Sequence, residues 1–249
     1  MQSDVADNRT AWKLDPMGGL VGQLTVNKSQ KGLVGIGAFK TAHDGVLILA
    51  SLTSSGLGSE QRQKVVVKQP FFRSRGATGK VNIIQRFTLA TDLSKLFREA
   101  NILYWAKSLL DLTYTFVDAA IQSSDLPPPF NVPRLRFVDA GLALVHSSAS
   151  KTATGVYLVE EKILCGRNEF VKFIHNCDFG PSIGSDEDGY DIAEFLVFTQ
   201  HVQCMKTKGL AFISDYQGKS IASYSFYSFG DQVIGNLSLL TDPQILTDP

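Results

Sequence analysis

Asp215-Tyr216-Gln217-Gly218 directly follows a short apolar run, residues 210–214, and is the most informative segment of the chain. The run is typical of a β-strand, in which alternate residues point to the same side. Asp215 and Gln217 could therefore direct a carboxylate and an amide oxygen at one cation. Mg²⁺ that bridges nucleotide phosphates takes about one or two such protein oxygens. The alternative is an ordinary turn, because Asp and Gly are common after strands.

A second acidic segment, Leu240-Thr241-Asp242-Pro243, follows residues 219–239, which are rich in serine and aromatic residues and have no helical period. Taken alone, Asp242 is an ordinary turn residue. The cost of closing a loop grows only slowly with its length, so Asp242 could return beside Asp215. If it does not, a phosphoryl-transfer centre made from both carboxylates is lost.

Upstream, Gly35-Ile36-Gly37-Ala38-Phe39-Lys40 is a glycine-rich segment between two apolar stretches. Glycines at such a turn let backbone N–H groups approach a phosphate without an intervening side chain. An ordinary tight hairpin is the alternative, and it is the more frequent reason for this pattern.

Lys68 ends a β-branched run at residues 64–68. A lysine on a buried strand after a glycine-rich turn can neutralise nucleotide phosphates and pair with a glutamate on a helix. Glu99 is the candidate partner. The alternative is a strand-end lysine that reaches solvent, and the residues alone leave both interpretations open.

Apolar spacing predicts strands, a helix, a proline-rich connector, a strand, a second helix and a final strand, in that order. A helix at 92–121 is expected to begin at a cap formed by Thr91 or Asp92, and Gly209 is expected to end a second helix. Pro127-Pro128-Pro129 marks a connector and a lobe boundary near residues 126–133, so the layout is mixed α/β. The predicted strands are 20–26, 33–41, 45–51, 64–69, 155–163 and 210–214, and the second helix is 191–208.

Composition narrows the class of protein. Hydrophobic residues make up 44% of the 249 residues, and 24 basic side chains balance 24 acidic ones. This balance gives no reason to expect a nucleic-acid or anionic-membrane partner, and no apolar run approaches the length of a membrane span. The sparse cysteines fit a reducing compartment. We expect an intracellular, cytoplasmic protein.

Asp178-Phe179-Gly180 spells the Asp-Phe-Gly motif of ordinary protein kinases. Their mechanism also needs an upstream His-Arg-Asp loop, and residues 138–176 contain none. We interpret this motif as a coincidence.

Together the segments resemble the alpha-kinase family of atypical protein kinases, from about residue 33 to residue 249. The resemblance is most specific at residues 195–218 and 240–247, and Val159-Glu160-Glu161-Lys162-Ile163 resembles the hinge strand. It implies an α+β, two-lobed kinase-like fold. The N-terminal lobe, at about 20–158, would be mainly antiparallel sheet plus a long helix. A hinge at 159–165 and a partial C-terminal lobe at 166–249 would follow, with 1–19 a loosely ordered lead-in and 219–239 an atypical insert.

The activity implied by the resemblance is transfer of the ATP γ-phosphate to serine or threonine of a protein substrate. Asp215 and Gln217 would bind Mg²⁺, and Asp242 would act with Asp215 at the catalytic centre, as an acceptor-orienting base or transient phosphate carrier. His201 matches the first ligand of a structural zinc site that this chain does not complete. The implied nucleotide-binding residues are Gly35, Gly37, Lys40, Lys68, Glu160 and Ile163. The rival hypothesis is a catalytically inactive remnant that binds nucleotide or protein.

Overall fold

A computed structural model of the chain describes residues 19–75, 82–128, 130, 132–147, 149, 152–164, 170–176, 178–219, 227–229, 232–234 and 237–247. These residues form two α-helices and fourteen β-strands. The helices are α1 (Leu89–Gln122) and α2 (Tyr190–Lys206). The strands are β1 (Gly22–Val26), β2 (Leu33–Ile36), β3 (Lys40–Leu49), β4 (Gln63–Pro70), β5 (Phe72–Arg75), β6 (Asn82–Gln85), β7 (Arg134–Phe137), β8 (Ala140–His146), β9 (Ala153–Glu161), β10 (Phe170–Ile174), β11 (Ala211–Lys219), β12 (Tyr227–Phe229), β13 (Gln232–Ile234) and β14 (Leu237–Thr247).

The first sheet is antiparallel and has the strand order β1-β3-β4-β9-β8, with β2 paired to β3. Residues of β3, β4 and β9 that pair across the sheet share a face because side chains alternate along each strand. One face carries the small core of Leu47, Val65, Val67 and Val159. The opposite face carries Lys68, which therefore points away from this core.

Helix α1 packs against both sheets. Its N-terminal part buries Leu96 against Val156 and Leu158 of β9, whereas its middle part enters the main core. Thr88 caps the helix by accepting a hydrogen bond from the Thr91 backbone N–H. The predicted helix is confirmed, but the predicted cap is wrong by one turn because the chain already turns into the helix at Thr88.

The second sheet has the order β10-β11-β14-β7, in which β14 and β7 are parallel and the other pairs are antiparallel. Helix α2 covers it and ends before Gly209, whose φ of 84° suits the left-handed conformation. The main core, between the sheet and the two helices, has buried residues at Leu103, Ala106, Leu109, Leu110, Leu135, Phe137, Val138, Phe173, Ile174, Ile192, Ala193, Phe195, Leu196, Ile213, Tyr216 and Leu240.

Two strand predictions needed correction. The predicted strand 33–41 is broken between β2 and β3, where Gly37 N–H bonds to the Lys40 carbonyl and closes a hairpin. Asp215 and Gln217 lie inside β11 and not in a loop after it, because β14 pairs with β11 along its length. The predicted lobe limits stay a prediction; β7 belongs to the second sheet although it precedes the hinge in sequence.

Two predicted segments fall largely outside the described residues. These are the lead-in, of which only residue 19 is described, and the insert at 219–239. Within the insert, β12 and β13 form a short antiparallel hairpin.

None of the helices in the described ranges has the length and apolar character that crossing a membrane requires.

Candidate active site

A cleft of about 680 Å³ opens between the first sheet, the β2–β3 hairpin and the middle of β14. Its volume is within the usual range for small-molecule sites, about 300–1,000 Å³. Both apolar and charged side chains line it. The predicted site residues on its wall are Gly35, Gly37, Lys40, Lys68, Glu160, Ile163, Gln217 and Asp242.

Lys68 is the central charge of the cleft. Its side chain is 7% exposed, and its ammonium lies 2.7 Å from Glu160 Oε2 and 2.7 Å from Asp242 Oδ1. The same ammonium donates to Thr241 Oγ1 at 3.3 Å, and Thr241 in turn donates to Glu160 Oε2 at 2.8 Å. Strands β4, β9 and β14 therefore meet at one buried ammonium group.

Lys40, at the start of β3, reaches the same cluster from the hairpin. Its ammonium donates to Asp242 Oδ1 at 3.2 Å and also pairs with Glu99 of α1. Glu99 is therefore a partner of Lys40, and its predicted pairing with Lys68 is wrong. The hairpin lysine is the one that contacts the helix, while the β4 lysine is held by Glu160.

Burial and opposite charges act against each other on the pKa values of the cluster. Burial lowers the pKa of Lys68, but Glu160 and Asp242 raise it above the ordinary lysine value. The pKa of Lys40 is also raised, since Asp242 and Glu99 outweigh the effect of burial. Burial raises the pKa of Asp242, yet Lys68 and Lys40 together hold it well below its usual range. Both lysines and Asp242 are therefore ionised at neutral pH.

Asp242 has an unusual backbone conformation, with φ at 48° in front of Pro243. Left-handed backbone is uncommon for residues other than glycine, although aspartate tolerates it better than most. Both lysines contact Oδ1, and none of the described donors contacts Oδ2. Asp242 Oδ2 is therefore available to a ligand or to a hydroxyl that donates a hydrogen bond.

Gly35 and Gly37 line the cleft without being required by the fold. A Cβ at Gly35 would have no atom within 4 Å, and one at Gly37 would meet only the Lys40 carbonyl at 3.7 Å. Neither glycine has a positive φ. The space that a side chain would fill is therefore open to a ligand, as a phosphate-binding turn requires.

Asp215 and Gln217 lie on neighbouring parts of β11 but differ in surroundings. Gln217 lines the cleft, whereas Asp215 is buried and bound by Lys172 of β10, whose ammonium is 2.7 Å from Oδ1 and 2.9 Å from Oδ2. Carboxylate and amide oxygens suit Mg²⁺. The donor types of the two residues therefore suit a magnesium ion, while Lys172 binds Asp215 and only Gln217 of the two lines the cleft.

Asp242 and Asp215 lie on paired strands despite the insert between them. Asp215 is opposite Gln244 and Gln217 is opposite Thr241, with two bulges in the ladder. The insert therefore leaves the segment around Asp242 beside the Asp215 segment in the second sheet.

His201 and the Asp-Phe-Gly motif, two features noted in the sequence, are not part of the cleft lining. His201 is exposed on α2, and no group of three His, Cys, Asp or Glu side chains in the described ranges is close enough to bind a metal. The described residues therefore do not form the zinc site that the resemblance suggests. Phe179 of the Asp-Phe-Gly motif is exposed and contacts the Phe212 ring, away from the cleft lining.

Sequence reasoning missed two polar residues of the site, Thr241 and Lys172. Thr241 lies next to Asp242 in the motif already quoted, so its position was a usable signal. Lys172 lies between apolar residues on β10 and is recognisable only through the pairing of β10 with β11.

Comparison with known proteins identifies the family. The Alpha-kinase family model matches residues 35–249, most of the chain. This chain belongs to the alpha-kinase family. The match covers the hairpin, Lys68, β9 and both acidic segments of this alpha-kinase chain. No curated protein sequence matches it significantly.

Two solved structures share the fold of this alpha-kinase chain, and both are of the alpha-kinase domain of myosin-II heavy chain kinase A. One, in complex with AMP-PNP, is 14% identical with a TM-score of 0.50, and the alignment covers 95% of this chain and 80% of that one. The other, which contains a phosphorylated aspartate, is 13% identical with a TM-score of 0.52, and the alignment covers 95% and 81%. At these identities the likeness shows the fold alone.

Proposed function

We propose that this alpha-kinase chain binds Mg-ATP in the cleft and transfers the γ-phosphate to serine or threonine hydroxyls of a protein substrate. The observation that carries the proposal is the buried cluster in which Lys68 joins Glu160 and Asp242 beside the glycine hairpin. Family membership supports the kinase class, and the AMP-PNP complex of the myosin-II heavy chain kinase A domain supports nucleotide as the ligand.

The lining of the cleft suits both the phosphates and the base of a nucleotide. Lys40 and Lys68 supply positive charge where phosphates would lie, and the unfilled space at Gly35 and Gly37 admits them. Ile163, just beyond β9, belongs to the part that would hold adenine. We propose Glu160 chiefly as the group that orients Lys68, since its Oε2 is already bound by that lysine and by a hydroxyl.

Asp242 fits both roles that the resemblance implies, because each needs an ionised carboxylate. As the acceptor-orienting group, Oδ2 would accept a hydrogen bond from the attacking hydroxyl. As a transient carrier, Oδ2 would form the bond to the γ-phosphorus while the bond to the β,γ-bridging oxygen breaks and ADP leaves. The depressed pKa makes Asp242 a weak proton acceptor and favours the carrier role. The phosphorylated aspartate of the related domain supports the same choice.

We propose that Asp215 and Gln217 would hold Mg²⁺ together with the nucleotide phosphates. The ion would supply neutralisation of phosphate charge, which is the main task in phosphoryl transfer. The Lys172 ammonium would then move partly away from Asp215, since the ammonium and Mg²⁺ would compete for the same carboxylate. The ion pair keeps the buried Asp215 compensated when no metal is bound.

The second candidate function is a non-catalytic module that binds nucleotide. The observation in its favour is that Lys172 contacts both oxygens of Asp215, as a built-in cation would. Such a protein would bind ATP without needing Mg²⁺ and would transfer no phosphate.

The decisive experiment is a calorimetric titration of the full chain with ATP, with and without Mg²⁺. The variants are the pair Lys68→Met/Glu160→Gln, which removes both buried charges, and Lys64→Met, which changes an exposed lysine of the same strand. We expect Mg-dependent binding that the paired variant loses and Lys64→Met keeps. Transfer of γ-labelled phosphate to peptides with Ser, Thr or Tyr acceptors follows. Absence of binding by folded protein contradicts the proposal, and Mg-independent binding without transfer favours the non-catalytic module.

A further inference from the structure

One ion pair on the cleft wall has no role in the proposed reaction. Asp44 of β3 and Lys162, just after β9, both line the cleft, and the lysine donates to Asp44 Oδ1 at 2.5 Å. The Asp44 side chain is 39% exposed, and no described donor contacts its Oδ2. A carboxylate oxygen with unused acceptor capacity therefore faces a cavity that is proposed to hold a nucleotide.

The sheet register places Asp44 relative to the phosphate end. Lys40, Ala42 and Asp44 alternate along β3 and share the cleft face, and Ala42 is paired with Lys68. At a strand rise of about 3.3 Å per residue, Asp44 is about 7 Å along β3 from the position opposite Lys68 and about 13 Å from Lys40. Asp44 thus lies farther along β3 than Lys40 and the position opposite Lys68, and it is paired with Val66 of β4.

The chemistry of Asp44 selects what can lie beside it. An ionised carboxylate only accepts hydrogen bonds and repels phosphate. The ribose adjoins the phosphates in any nucleotide, and its two vicinal hydroxyls are donors. Because Asp44 is partly exposed, hydroxyls that keep some contact with water can satisfy it without the full cost of burying a charge.

We propose that Asp44 is the ribose-binding residue of this cleft: its free Oδ2 accepts a hydrogen bond from the ribose hydroxyls of ATP, while Lys162 holds Oδ1 and fixes the carboxylate. This inference rests on the proposed nucleotide binding. It makes Asp44 a specificity determinant that distinguishes ribonucleotides from deoxyribonucleotides, and it orients ATP with its triphosphate toward Lys68.

The test compares ATP, 2′-deoxy-ATP, 3′-deoxy-ATP and purine riboside triphosphate, which lacks the 6-amino group, on the full chain and on Asp44→Ala. Loss of one charge-assisted hydrogen bond changes affinity about tenfold or more. We expect Asp44→Ala to weaken ATP binding about tenfold or more. At least one deoxy analogue should bind the wild-type chain correspondingly less tightly than ATP, and the variant should not distinguish them.

Asp139→Ala is the matched control. Asp139 has the same exposed fraction, 39%, and is also paired with a lysine, Lys107, but it is outside the cleft lining. It should bind every nucleotide as the wild type does. Equal ATP affinity in Asp44→Ala and wild type overturns the inference. A wild-type chain that binds only the analogue without the 6-amino group less tightly than ATP also overturns it, because that result would assign Asp44 to the base. Failure of the wild-type chain to bind any of the nucleotides would instead overturn the proposed function.

Discussion

Replacing Lys68 by methionine tests the buried charge cluster most directly. The side chains of Lys68 and Glu160 are only 7% and 5% exposed, so this is a buried ion pair. Methionine keeps much of the aliphatic length but removes the ammonium. Glu160 would then retain only the Thr241 hydroxyl as a described donor to Oε2.

The size of the effect follows from the uncompensated carboxylate. Removing one partner of a buried pair costs about 3–5 kcal/mol, because the remaining charge stays desolvated. Removing both charges leaves no such carboxylate, so Lys68→Met/Glu160→Gln should be far closer to wild type than Lys68→Met alone. Lys64→Met, which changes an exposed lysine of the same strand, should change the free energy of unfolding by less than about 0.5 kcal/mol.

Urea unfolding of the four proteins, followed by circular dichroism, measures these differences as shifts of the midpoint at constant slope. The result that refutes the reasoning is a Lys68→Met variant that unfolds like Lys64→Met. A double variant no more stable than Lys68→Met would equally show that the lysine and the glutamate do not compensate each other.

Four further predictions follow from the site and the core. Gly35→Ala should leave the melting temperature nearly unchanged, because nothing lies within 4 Å of the new methyl group, while weakening ATP binding in calorimetry. Glu99→Gln should raise the KM for ATP with only a small loss in the free energy of unfolding, because Lys40 would lose its helix partner and bind Asp242 alone. An unchanged KM would argue against this. The folded-state pKa of Asp242 is depressed, so its contribution to stability is present above the unfolded pKa and should be lost as pH falls below about 4; the stability gap between wild type and Asp242→Asn should therefore narrow from pH 5 to pH 2.5. Tyr216→Phe should cost about 1–3 kcal/mol in urea unfolding, because the buried hydroxyl makes two hydrogen bonds to α2 side chains and each contributes about 0.5–1.5 kcal/mol; an effect below 0.5 kcal/mol would contradict this.

Local pattern was enough to predict the regular elements of the fold. The apolar spacing that predicted a helix at 92–121 corresponds to α1 at Leu89–Gln122, and the glycine stop after α2 is where it was expected. The apolar spacing and the glycine stop both depend on residues within one or two helical turns of each other. The break between β2 and β3 was missed because apolar residues continue across it, while the backbone reversal depends on the hydrogen bond that closes the hairpin.

Motif order was likewise enough to predict the family, and it named eight of the residues that line the cleft. It did not reveal why the tyrosine of Asp215-Tyr216-Gln217-Gly218 matters. Tyr216 is fully buried, and its hydroxyl bonds to Thr199 and Gln203 of α2. This contact anchors β11 to the helix and so positions the acidic residue and the amide on either side of it.

The sequence by itself determined the two acidic segments, the glycine hairpin, the strand lysine and the family to which they belong, because each is a pattern among neighbouring residues. Only the tertiary structure decided which charges meet. Lys40 and Asp242 are 202 residues apart in the chain, and Lys68 and Asp242 are 174 apart. Their contact depends on how α1 packs on the first sheet and on the register of β14 beside β11. Register and packing are set by the whole core, so local sequence could not assign Glu99 to Lys40 or Glu160 to Lys68.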